Sequence, residues 1–187
     1  DEYLSYGITG DILNSIQKTN LVFVPALADV LAIKDSNDSY KIIGEKLKVD
    51  HLLCGSIEKI DGEFNLEFQL INSADEKVIW SDKIMESLSN QEKVINDLTI
   101  TVLSQLKITV PDHIKQKKGK KLTSNPEAYE DYLKGQFILE TGKSSEELEE
   151  GKNHLKNAFD ADPVFVEARY IYAMTVQKLG NNDLALE

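Results

Sequence analysis

The strongest constraint in this chain lies between residues 61 and 71. Asp61-Gly62 is followed by strict alternation, with Phe64, Leu66, Phe68 and Leu70 on one side and Asn65, Glu67 and Gln69 on the other. A period of two is that of an extended strand with one buried face and one wet face. Asp-Gly is a two-residue hairpin turn, because both central positions need positive φ. A strand at 63–71 therefore pairs back on the apolar stretch at 49–60. A loop at 72–76 leads to a third strand at 77–84, giving an antiparallel meander.

Upstream, Leu4, Ile8, Ile12 and Ile16 recur every four residues, with Leu13 beside them, and predict a helix over 3–18. Leu21-Val-Phe-Val24, ended by Pro25, reads as a short strand buried on both faces. A second helix over 40–48 carries Ile43 and Leu47 at i, i+4. That helix between two strands suits a parallel crossover, so the expected sheet is mixed. Ser89 and Glu92 have capping-box spacing and start a helix with Val94, Ile95, Leu98, Val102 and Leu106 on one face.

Residues 111–124 break the pattern. Pro111 precedes a run of Lys115, Lys117, Lys118, Lys120 and Lys121 around Gly119. Like charges in a block resist packing, so a solvated linker is favoured over a basic docking patch. Beyond it everything is helical. Pro126 suits a first turn, a helix covers 128–139, and Gly142 ends it. Ser144 and Glu147 form a capping box for a helix to about 160. Asp162-Pro163 breaks it, a further helix runs over 164–179 to Gly180, and another begins at Asp183. The domains expected are thus 1–110, a linker at 111–124 and helical repeats at 125–187.

The formal net charge of −11 repels phosphate backbones, which argues against direct nucleic-acid binding. A single cysteine, Cys54, rules out an internal disulfide. The most apolar run, 21–33, is too short and too interrupted by Pro25 and Asp29 to span a bilayer. The chain opens on Asp1 rather than methionine and stops inside a helical pattern, which suggests a fragment. Cytoplasm is the default compartment, with the periplasmic side of an inner-membrane protein as the alternative.

Several motifs are set aside. Gly142-Lys143-Ser144 looks like the end of a phosphate loop, but position 137 is Phe where that loop needs glycine. His51 and Cys54, three apart on a strand, point to opposite faces, so a zinc site is disfavoured and Cys54 reads as a small core residue. Glu146, Glu147, Glu149 and Glu150 sit where acids favour a helix start. Phe137, Tyr170 and Tyr172 read first as packing aromatics. No catalytic residue, metal ligand or cofactor is expected.

Gly151, Leu155, Ala158 and Pro163, spaced by four, three and five, resemble the second half of a tetratricopeptide (TPR) repeat, with Gly151 in place of alanine. Tyr172-Ala173, Gly180 and Ala185 fall at matching places in the next hairpin, and Gly135 in the first, whose loop is longer. These glycines, alanines, Leu155 and Pro163 are the packing positions that the resemblance implies. It also implies groove-facing positions near Glu167, Tyr170, Met174 and Gln177, for a protein or peptide partner.

The first domain resembles the TolB-like amino-terminal family. Val49-Asp50-His51-Leu52-Leu53-Cys54-Gly55-Ser56-Ile57 is similar to its "LGV-D-Y-V-L-x-G-S-V" stretch. Gln69-Leu70-Ile71-Asn72 is similar to its "QLID" and Trp80-Ser81 to its "W-S/A". Tyr3, Gly7-Ile8-Thr9 and Asp11-Ile12 resemble its start, and Ala128-Tyr129, Tyr132-Leu133 and Gly135 the opening of the adjoining repeats. That family stands beside TPR repeats in bacterial class III adenylate/guanylate cyclases and related regulators. Its opening strand has no counterpart before residue 3, which leaves an edge that a partner strand could fill, as in a homodimer. Asn65 and Glu67 stand where relatives often carry arginine.

The expected fold class is thus α+β/α, a small mixed-sheet domain followed by TPR-like hairpins. The resemblance implies a non-catalytic regulatory module from the C-terminal part of a nucleotide cyclase. The alternatives are the interaction part of a winged-helix transcription regulator, a stand-alone TPR adaptor, or an enzyme domain with an unrecognised site.

Overall fold

In a computed structural model the described residues are 2–60, 63–87, 90–116 and 122–184, with side chains to 180. The hairpin turn at 61–62, the Ser89 half of its capping box, Lys117 to Lys121 and Ala185 lie outside them. The elements run α1 (Glu2–Gln17), α2 (Leu27–Ile33), α3 (Tyr40–Leu47), β1 (His51–Ile60), β2 (Glu63–Asn72), β3 (Val78–Ser87), α4 (Gln91–Gln105), α5 (Asp112–Lys115), α6 (Pro126–Thr141), α7 (Ser145–Ala161) and α8 (Val166–Leu184). The chain is α+β. It divides into two compact units, one of Asp1–Gly7 with Lys120–Glu187 and the other of Ile8–Gly119. The division falls inside α1.

In the second of these units the strands form one antiparallel sheet of order β1-β2-β3. Opposite residues share a face, so Leu53 and Trp80 flank Leu70, and Ile57 and Ile84 flank Leu66. β2 carries the core, with Phe64, Leu66, Phe68 and Leu70 all at most 5% exposed. Ile8 and Ile12 of α1 and Val94, Ile95 and Leu98 of α4 converge on Phe64, Leu66 and Phe68 with no room for a water. Each such buried side chain stabilises the fold by about 1.5–3 kcal/mol relative to exposure. Thr99 donates to Ser15 at 2.9 Å, pairing the polar edges of α4 and α1.

The sheet is antiparallel, not mixed. Residues 21–24 are irregular, and Phe23 is 72% exposed. The backbone amides of Val22, Phe23 and Val24 make no hydrogen bond to the described residues. A β-branched run becomes a strand only beside another strand, and none of the described residues supplies one here. Two short helices were not anticipated, α2 and α5, and neither buries a residue. The expected linker at 111–124 is flanked by a buried residue on one side and holds one near its other end. Val110 is buried, and Thr123 is buried with its hydroxyl donating to Asp162.

The helical unit follows from its caps. Asn125 accepts hydrogen bonds from the amides of Glu127 at 3.0 Å and Ala128 at 3.3 Å, with Pro126 at the first helical position. Ser144 accepts from Glu147 N at 3.1 Å while Glu147 Oε2 accepts from Ser144 N at 2.9 Å, a complete capping box.

Candidate functional site

The α6–α7 hairpin closes through small residues. A Cβ on Gly135 would lie 2.8 Å from Leu155 Cγ and 2.9 Å from the Gly151 carbonyl oxygen. One on Gly151 would lie 3.0 Å from Leu139 Cγ. Glycine at both positions therefore lets the backbones approach. Leu155 and Ala158 are fully buried in the same seam.

Helix α8 is held by Phe165 and Ala168, both fully buried, and by Thr175. The Phe165 ring stands 4.9 Å from that of Tyr132. Tyr172 meets Phe159 of α7 edge-on at 5.2 Å. Arg169 lies over Phe159 and donates to the Pro163 carbonyl at 3.0 Å. Pro163 itself is exposed at the break between α7 and α8.

Among the described residues the opposite side of α8 is bare. Val166, Tyr170 and Met174 are 62%, 65% and 50% exposed. At i, i+4 and i+8 they form one stripe. Gln177 is exposed nearby, and Glu167 is half-buried and engaged. Of the four expected groove residues, Tyr170 and Met174 thus share an apolar strip with Val166, which the sequence reading did not name. Its i, i+4 spacing ahead of Tyr170 was the available signal. Ala173 is exposed and Gly180 has nothing within 4 Å. Their face of α8 has no helix against it among the described residues, which is why these two expected packing positions pack on nothing there.

Two hollows hold the polar groups. One, open and about 580 Å³, runs along α7 over Glu146, Glu149, Glu150, Asn153 and His154. His154 Nδ1 lies 2.7 Å from Asp131 Oδ1, and Glu149 pairs with Lys152. Glu147 stands beside this row. Backbone hydrogen bonds from Lys143 and Ser144 hold its carboxyl below the usual carboxylate range. The Gly142-Lys143-Ser144 stretch therefore serves a helix cap.

The other hollow, about 530 Å³, lies on the polar face of the sheet over Cys54, Ser56, Glu67, Gln69, Ser81 and Lys83. Glu67 and Lys83 pair at 2.8 Å. Cys54 is half-buried rather than a full core residue, and burial pushes its thiol up, away from a reactive thiolate. Among the described residues no group of three or more metal-ligating side chains converges. No helix of the described residues is long and apolar enough to cross a membrane.

Fold and site together define an α+β protein with a helical array that bears an exposed apolar stripe. No protein-family model matches the chain. It is similar to a Rhizobium meliloti (strain 1021) protein described as "Putative adenylate cyclase 3", at 23% identity over 162 residues. The match covers 86% of this chain and 27% of that protein, so the chain spans about a quarter of the relative's length.

Proposed function

We propose that this chain is a regulatory, protein-binding segment of a bacterial signalling protein that carries a nucleotide cyclase domain elsewhere. The reading joins a TolB-like α/β unit to TPR-like hairpins. The observation that carries it is the Val166–Tyr170–Met174 stripe, set on a helix whose other side is locked into a packed hairpin. Exposed aromatic and methionine side chains on a rigid scaffold suit capture of an apolar peptide or helix. The similarity to a cyclase-named protein supplies the signalling context. Glu149 and His154 in one hollow and Glu67 and Lys83 in the other are engaged in ion pairs, which favours binding over chemistry.

The test is made in the longer protein that contains this chain. Tyr170→Ala with Met174→Ala is expected to abolish partner-dependent change in cyclase rate while leaving the melting temperature in place. Conversion of ATP to cyclic AMP by the 187-residue chain alone would overturn the reading. β1 and β3 each leave an outer edge unpaired among the described residues, which supports strand-mediated pairing of two copies. A strict monomer by light scattering at high concentration sinks that part.

A further inference from the structure

Helices α6 and α8 repeat one another. Tyr132-Leu133, Gly135 and Gly142 of the first correspond to Tyr170-Ile171, Ala173 and Gly180 of the second, each pair thirty-eight positions apart. On α8, the face made by Ala168, Ile171, Tyr172 and Thr175 is the buried or half-buried one, with Tyr172 against α7. The same register on α6 picks out Glu130, Leu133, Lys134 and Phe137.

That α6 face is occupied. Tyr3 Oη donates to Glu130 Oε1 at 2.8 Å, and Lys134 Nζ stands 5.3 Å over the Tyr3 ring. Glu130 and Lys134 pair with each other at 3.0 Å. Tyr6 meets Phe137 edge-on at 5.8 Å. Leu4 is fully buried. A Cβ on Gly7 would lie 2.4 Å from Leu133 Cδ2, and Leu133 is itself 1% exposed, so it has little room to retreat. Every one of the four α6 positions thus meets a residue of 3–7 directly.

We propose that Glu2–Gly7, the first turns of α1, form the N-terminal cap of the helical array, taking on α6 the place that α7 takes on α8. A stack of helical repeats needs such a cap, because its terminal face is otherwise an exposed apolar surface. The chemistry fits. Leu4 and Leu133 are both buried, Gly7 lies against Leu133, and Tyr3, Glu130 and Lys134 make a polar cluster beside them.

Gly7→Ala in the full 187-residue chain tests this by sign. In a helix interior alanine is favoured over glycine, so an undocked helix would melt higher. The cap predicts a lower melting temperature and several-fold faster amide exchange concentrated in α6. Gly10→Ala is the control on the same helix, where a Cβ meets only Leu27 Cδ2 at 3.4 Å, and it should not speed exchange in α6. Tyr3→Phe keeps the ring and loses the bond to Glu130, and should speed α6 exchange more weakly. It also decides the matter where Gly7→Ala does not fold. A higher melting temperature for Gly7→Ala, or unchanged α6 exchange in Tyr3→Phe, would overturn the proposal.

Discussion

The sheet unit and the helical unit bury their apolar residues in different ways. In the sheet nearly everything rests on β2. β1 buries Leu52 alone and β3 buries no residue fully. In the helical unit the burial is spread along successive seams, Gly135 and Leu155 between α6 and α7, then Ala168 and Tyr172 toward α8. A central strand shares its side chains with both neighbours and with the helices above it, so losing one affects all of them. A helical array is closer to one-dimensional, and losing one contact loosens one seam. The lesson is that stability in one half is pooled and in the other is local.

Phe64→Ala tests the pooled half hardest. The side chain is 1% exposed and converges with α1 and α4. The loss expected is about 3–5 kcal/mol, and amide exchange should rise across β1, β2, β3 and α4 together. Leu155→Ala, at a fully buried position, should cost about 2–5 kcal/mol. Its exchange effect should stay within α6 and α7. If Leu155→Ala speeds exchange in β2 as much as in α6, the distinction between the halves fails.

A smaller step sharpens the local half. Ser144→Ala removes the cap of α7, which should cost about 0.5–2 kcal/mol, read in chemical denaturation. Acid should act on the same cap. The Glu147 carboxyl is held below its usual range by the amides of Lys143 and Ser144. Its contribution is therefore present above the unfolded carboxylate value of about 4.3 and lost as pH falls through the lower folded value. Tyr3 behaves oppositely. Burial, then its bond to and the charge of Glu130, raise its phenol. That contribution holds up to the unfolded value of about 10 and is lost only in stronger alkali.

Much of this was legible in the amino acids, and the failures share a cause. Alternation at Phe64 to Leu70 located β2 and its buried face. Pro126 and Ser144 with Glu147 located two helix starts, because the signals for a helix end are local chemistry. The 21–24 run misled because strand formation is a property of two segments, and its residues say nothing about a neighbour. Leu4, Ile8, Ile12 and Ile16 read as one stripe with one partner. Leu4 instead belongs with the helical unit and Ile8 onward with the sheet unit. Periodicity reports that a face is buried, not what buries it. For the same reason Tyr3 and Gly7 were legible only as part of the TolB-like resemblance, and nothing in the sequence tied them or Tyr6 to α6. Ala173 and Gly180 were read as packing residues on a face that carries no helix among the described residues.

The smallest effect expected compares two glycines of the helical unit. Gly180 lies in α8 with nothing of the described residues within 4 Å of the site of a Cβ. Gly180→Ala adds a methyl that meets no neighbour there and removes the excess backbone entropy of glycine in the unfolded chain. It should therefore stabilise, by about 0.4–1 kcal/mol at most, as a small rise in melting temperature. The same change at Gly135 puts its Cβ against the Leu155 side chain and the Gly151 carbonyl. There the backbone cannot yield, and Gly135→Ala should destabilise. The two substitutions are chemically identical, so a difference in sign measures only whether a second helix is pressed against the site. A loss of stability from Gly180→Ala would mean that this face of α8 is also covered in solution. The stripe would then have to be sought on a narrower part of the helix, around Tyr170 and Met174 alone.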